Sequence, residues 1–145
     1  MTQPKPRESQ PILIIDDSED DFYAARRALM KANLHNPIEH AASGTLALEV
    51  LQSEGGVKPG LILLDLNMPG IDGRKTLEII KQDDSLKSIP VVILTTSDDE
   101  RDVNTCYALG ANTYIQKPVN FDSLLGAMKH LKDYWFEIAL LPKDV

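Results

Sequence analysis

Cysteine is almost missing from this chain of 145 residues. Cys106 is the single one, which excludes an internal disulfide and fits a reducing compartment. Basic residues are too few and too scattered for a nucleic-acid surface: 15 Lys and Arg stand against 22 Asp and Glu, a net charge of -7, whereas phosphate-backbone binding needs clustered Lys and Arg. No apolar run approaches the ~18 residues of a membrane span, and the opening "MTQPKPRESQP" has no apolar stretch of signal-peptide length. Internal repeats and hairpin signals are missing too. These absences predict a cytoplasmic protein without nucleic-acid or membrane partners. The composition, 43% hydrophobic and 26% charged, is that of one globular domain able to bury a real core.

What the sequence does have is an alternation of short apolar runs with amphipathic stretches. Ile12 to Ile15 reads as a buried strand, and Phe22, Ala25 and Leu29 recur at helical spacing through "DFYAARRALMKA". "IEHAA" is a weaker strand. "SGTLALEVLQ" predicts a helix with Ser43 as N-cap, "GLILLD" a strongly apolar strand, and "DGRKTLEIIKQ" a helix opened by Asp72. "VVILTT" is the next strand. "DDERDVNTCYALGA" is the least apolar helix candidate, with only Val103, Cys106 and Leu109 to pack, so its hold on the core should be weak. "TYIQ" makes a fifth strand, and Phe121, Leu124, Leu125, Met128 and Leu131 mark a last helix. Parallel neighbours need crossover connections, and both faces of such a sheet must be covered. The expectation is therefore an α/β fold: a five-stranded, parallel, doubly wound sheet of flavodoxin-like type with helices on both faces.

In such sheets ligands bind beyond the carboxyl ends of the strands, so the polar residues there carry the functional expectation. They are Asp16 and Asp17, Asp65, Thr95 and Lys117. "DDSEDD" packs five carboxylates into six positions, and like charges about 4 Å apart repel by roughly 4 kcal/mol at an effective dielectric near 20. A divalent cation would offset that repulsion. Three carboxylates at one sheet edge form an oxygen-rich site suited to Mg²⁺, a hard cation that keeps several waters. Glu19, Asp20 and Asp21 fall instead at the start of a helix, where negative charge meets the positive end of the dipole. Plainer readings stand beside each of these. Asp16 and Asp17 also suit a solvated strand end, Thr95 an ordinary β-branched strand residue, and Lys117 a surface lysine at a turn. Asp65 is harder to explain away, since it precedes "LNMPG", a turn shaped by Pro69 and Gly70. A cis Lys117–Pro118 bond would aim the ammonium at the cluster.

The ordered set "IIDDS", "LILLDLNMPG", "VVILTT" and "YIQKP" resembles the response-regulator receiver domain of two-component signalling. "DDSEDD", "DLNMPGIDGR" and "DYWFEIALLP" more narrowly resemble the stand-alone regulators paired with bacterial phytochromes. The resemblance implies Asp65 as phosphoacceptor and a Mg²⁺ ion held by Asp17, Asp65, the backbone carbonyl of Asn67 and, through water, Asp16. It implies Lys117 as the phosphoryl-binding cation, Thr95 as the switch hydroxyl and Tyr114 as the aromatic that changes rotamer. The implied partner is a histidine kinase, of phytochrome type on the narrower likeness, and the chain would be a phosphoacceptor rather than an enzyme in its own right. One position departs from the family: Thr96 stands where a very small side chain is usual, which predicts restricted access for small phosphodonors. Two other classes compete. A haloacid dehalogenase-type phosphatase places its nucleophile in D-x-D after the first strand, and Asp16-Asp17-Ser18 breaks that pattern. A metal-dependent ligand-binding module with a D-x-S-x-S loop is matched only in part by Asp16, Ser18 and Asp20.

Domain boundaries follow: a flexible tail over 1–10, the receiver over 11–133, and an apolar extension over 134–145. In the extension Leu131, Trp135 and Ile138 continue the helical stripe, with Tyr134, Phe136, Leu140 and Leu141 around it. It would either fold back over its own domain or pack across a two-fold axis in a homodimer, the outcome that the phytochrome-linked resemblance favours. His35, His40 and His130 lack metal-ligand spacing and are expected at the surface or in loops.

Overall fold

A computed structural model describes residues 10–55 and 58–141; nearly all of the predicted tail and the last four residues of the extension lie outside them. Five strands and five helices alternate. They are β1 (Ile12–Ile15), α1 (Glu19–Lys31), β2 (Ile38–Ala41), α2 (Gly44–Gln52), β3 (Leu61–Leu64), α3 (Gly73–Gln82), β4 (Val91–Thr95), α4 (Glu100–Ala108), β5 (Thr113–Gln116) and α5 (Phe121–Lys132), followed by a π-helical turn over Asp133–Ile138. Each helix begins where the sequence offers a side-chain oxygen to an orphan backbone N–H. Ser18, Ser43, Asp72, Asp99 and Asn120 cap α1 to α5 in turn.

All strand pairs are parallel, in the order β2-β1-β3-β4-β5. This is the flavodoxin-like doubly wound arrangement, whose order reverses between β1 and β3. The unbroken apolar strands divide by residue parity, because successive side chains point to opposite faces. Leu13, Ile15, Ile62, Leu64 and Ile93 pack with α2 and α3 on one face. Ile12, Ile14, Leu61, Leu63, Val92 and Leu94 pack with α1 and α5 on the other. β2, the weakest strand by sequence, is an edge strand. α4 buries only Cys106, as its thin apolar content implies.

One open point closes and one expectation changes. Every described peptide bond is trans, Lys117–Pro118 included, so the lysine approaches the acidic cluster without a cis bond. The apolar stripe of α5 runs on to Trp135, which packs partly buried against the core, but not to Ile138: Phe136 is the buried residue of the π-helical turn, and Ile138 is exposed. A turn closed from residue i to i+5 takes in one more residue than an α-helical turn, which rotates the inward face. The bond from Ala139 N to Tyr134 O, 2.7 Å, closes it.

Candidate functional site

The switch in strand order leaves a crevice beyond the carboxyl ends of β1 and β3, and the acidic residues converge there. Asp16, Asp17 and Asp65 bring one carboxylate oxygen each within 4.8 Å of one another. Asp16 and Asp65 are buried and Asp17 is exposed, so the cluster opens to solvent on one side. Asp16 is oriented by the Ser18 N–H, which donates to its Oδ1 at 2.9 Å. Asp65 is held through its backbone. Its N–H donates to Ile15 O at 3.0 Å, and the N–H of Gly73 returns to Leu66 O at 2.9 Å, folding the β3–α3 loop onto the strand end. That loop turns at Gly70, with φ of 77°, as Pro69-Gly70 suggests. A β-carbon at Gly73 would collide with the Asp65 carbonyl oxygen and the Leu66 Cα, so only glycine lets α3 start this close to the site. Asn67 is exposed in the same loop.

Lys117 supplies the counter-charge. Its N–H donates to Thr95 O at 2.6 Å, continuing the β4–β5 ladder, and its Nζ lies 2.9 Å from Asp16 Oδ2, 2.8 Å from Asp21 Oδ2 and 3.4 Å from Asp65 Oδ2. Burial opposes the lysine's charge, but the hydrogen bonds to Asp21 and Asp16 and the field of Asp16 and Asp65 outweigh it and raise its pKa above the ordinary 10.5. Asp16 moves the opposite way from a well-paired carboxylate. Desolvation raises its pKa above 3.8 despite the hydrogen bonds from Lys117 and Ser18. The two directions are compatible, because one ammonium is shared by three carboxylates: Lys117 gains from all of them, while each receives only part of its charge. The pocket without a bound cation therefore carries uncompensated negative charge.

Thr95 is the last residue of β4. Its hydroxyl is fully buried, and among the described residues it is the one buried side-chain polar atom without a hydrogen-bond partner. Tyr114 directs its hydroxyl to Ser97 O at 2.9 Å, which ties β5 to the β4–α4 loop. Thr96 is exposed.

Several contacts around the site were not legible from sequence patterns. His40, expected in a loop or at the surface, lies in β2 with its Nε2 2.8 Å from Asp16 O and its ring stacked on Phe22, centroids 4.0 Å apart. His35 and His130 are exposed, as expected. Asp21, assigned only to the helix dipole, reaches Lys117. Arg74 donates through Nε and Nη2 to Asp102 Oδ1, and Ser97 Oγ donates to Asp102 Oδ2 at 2.7 Å, linking α3, α4 and the loop that follows β4.

The fold and its acidic crevice define a response regulator receiver, and the chain belongs to that family: the model for the response regulator receiver domain matches residues 12–129. It is 38% identical over 142 residues to the response regulator Rcp1 of Synechocystis sp., an alignment covering 93% of this chain and 97% of Rcp1. Among solved structures, the phosphorylated cyanobacterial phytochrome response regulator RcpA superposes with a TM-score of 0.86 at 36% identity, covering 93% of this chain and 99% of that one. The Mn²⁺-bound form of Rcp1 superposes with a TM-score of 0.84 at 37% identity, covering 92% and 99%. These matches do not support the dehalogenase or ligand-module alternatives.

Proposed function

We propose that this receiver accepts a phosphoryl group on Asp65 from the phosphohistidine of a histidine kinase, of phytochrome type by its similarity to Rcp1 and RcpA. The observation that carries the reading is the placement of Asp65 at the floor of the crevice, with two further carboxylates and an ammonium around it. The donor set is all hard oxygen and fits Mg²⁺, with Asp16, Asp17, Asp65 and the Asn67 carbonyl as holders. When bound, the ion supplies charge neutralisation for the transferring oxygens.

The protein's own residues do the rest. Asp65 Oδ forms the new P–O bond as the P–N bond to the donor imidazole breaks, and Lys117 offers N–H donors to the equatorial oxygens, where charge develops. Thr95 holds a buried hydroxyl with no partner to give up, so a phosphoryl oxygen arriving there gains a hydrogen bond at little cost. Tyr114 and the β4–α4 loop then follow the hydroxyl. A bond to a charged group contributes roughly 1.5–3 kcal/mol, less than the ~5.5 kcal/mol that moves a two-state element from 1:99 to 99:1. Phosphorylation therefore shifts the switch in part, and partner binding or self-association completes it.

The domain spans 11–133, and the extension serves as a dimerisation segment of a cytoplasmic homodimer. The chain is a phosphoacceptor that assists its own transfer and loss of phosphate rather than a turnover enzyme. Asp65→Asn keeps the shape and removes the nucleophile, so label from a phosphorylated kinase in Mg²⁺ is expected on the wild type and absent from the variant. Equal labelling of both would overturn the assignment.

A further inference from the structure

Lys117 has more carboxylate partners than the transfer reaction needs. An ammonium has three N–H donors, and Asp16, Asp21 and Asp65 face all of them. The three contacts are unequal. Nζ is 2.8 Å from Asp21 and 2.9 Å from Asp16, but 3.4 Å from Asp65, so the cation is drawn away from the residue that would carry the phosphoryl group. For Lys117 to move toward that group, one of the shorter bonds has to open. Asp16 is the poorer candidate, because its side chain is 6% exposed and releasing it would leave a buried charge unpaired. Asp21 has a side chain 47% exposed and can be rehydrated where it stands. Its backbone N–H is already satisfied by Ser18 Oγ at 3.2 Å, so the helix cap does not depend on its carboxylate.

We propose that Asp21 is a positioning residue that competes with the phosphoryl group on Asp65 for Lys117, and so sets how readily the site accepts that group. The inference rests on Asp65 as phosphoacceptor and adds a tuning carboxylate on α1, outside the residues that the reaction itself requires. Asp20 is the natural control: it carries the same charge one residue away, is exposed, and does not share Lys117. Any general repulsion of an anion by the acidic helix start would involve both residues alike.

The test is a titration of the full chain with beryllofluoride in Mg²⁺, followed by fluorine NMR, since this phosphoryl mimic reports equilibrium occupancy of Asp65. Asp21→Asn is expected to bind it about threefold more tightly, a factor within reach of a half-exposed ion pair, while Asp20→Asn binds like the wild type. In a Lys117→Ala background Asp21→Asn is expected to bring no gain, the signature of a coupled pair. The nitrogen-15 signal of the Lys117 ammonium should also move in Asp21→Asn and not in Asp20→Asn. Unchanged affinity in Asp21→Asn, an equal gain in Asp20→Asn, or a gain that persists without Lys117 overturns the proposal. Should the wild type and Asp65→Asn give the same response to the mimic, the phosphoacceptor reading itself fails, an outcome distinct from failure of the Asp21 proposal.

Discussion

His40 Nε2 lies 2.8 Å from the carbonyl oxygen of Asp16, so the edge strand β2 holds the backbone of the residue that shapes the acidic crevice. A carbonyl only accepts, which makes Nε2 the protonated nitrogen of that ring. The same ring stacks on Phe22 with an interplanar angle of 7°. Removing it deletes one hydrogen bond and one stacked contact, each of about 0.5–1.5 kcal/mol. His40→Ala is expected to lower stability by about 1–3 kcal/mol in urea unfolding and to weaken Mg²⁺ binding in calorimetry. Unchanged metal affinity would separate His40 from the site.

Asp102 gives the fold an acid-sensitive contact. Hydrogen bonds from Ser97 and then Arg74 hold its carboxyl below the ordinary 3.8. The unfolded chain therefore takes up the proton more readily than the native one, and the contribution is complete above 3.8 and fades as pH falls toward the lower native value. Asp102→Asn should be less stable than the wild type at about pH 6, with the gap narrowing by about pH 3. Denaturant midpoints at the two pH values check this. A gap that widens in acid would contradict the sign.

Gly73 is the tightest backbone approach at the site, with Asp65 O and Leu66 Cα where a β-carbon would go. Both neighbours are main chain, so the clash can be relieved only by moving the β3–α3 loop. Gly73→Ala is expected to cost about 1–3 kcal/mol, as overpacking does, and to reduce phosphoryl labelling of Asp65. Gly55 also has a positive φ, 78°, but meets no neighbouring atom, and a substitution there should leave labelling unchanged.

The strands, caps and crevice were readable because each rests on a local signal. Ile12–Ile15 and Leu61–Leu64 are continuous apolar runs that end at Asp16 and Asp65, and Ser43 and Asp72 cap helices by short-range chemistry. The strand-end rule then brings Asp16, Asp17, Asp65, Thr95 and Lys117 to one edge without knowledge of their contacts. His40 had no such signal. Its partner is 24 residues away, and only the parallel register that sets His40 opposite Ile14 brings it to the site. Asp21 and Lys117 are 96 residues apart, and in sequence Asp21 is one of several similar acids. The π-helical turn was hidden for another reason: helical spacing in a sequence assumes 3.6 residues per turn, and one wider turn moves Phe136 inward beside Trp135 and leaves Ile138 outside.

That wider turn divides the C-terminal segment into a buried and an exposed part. Phe136 belongs to the core cluster beneath α1 and α5, with Trp135 and Leu141 packed partly against it. Part of the extension thus covers its own domain. Ile138 and Leu140, 71% and 89% exposed, do not share in that burial. Phe136→Ala should cost about 3–5 kcal/mol of stability through lost core packing. Ile138→Glu with Leu140→Glu should leave the unfolding midpoint of the monomer nearly unchanged, because no core contact is lost. In sedimentation at micromolar concentration the full chain is expected to run as a dimer and the double glutamate variant as a monomer. A wild type that stays monomeric with and without phosphorylation would make the extension a cover for its own sheet and nothing more.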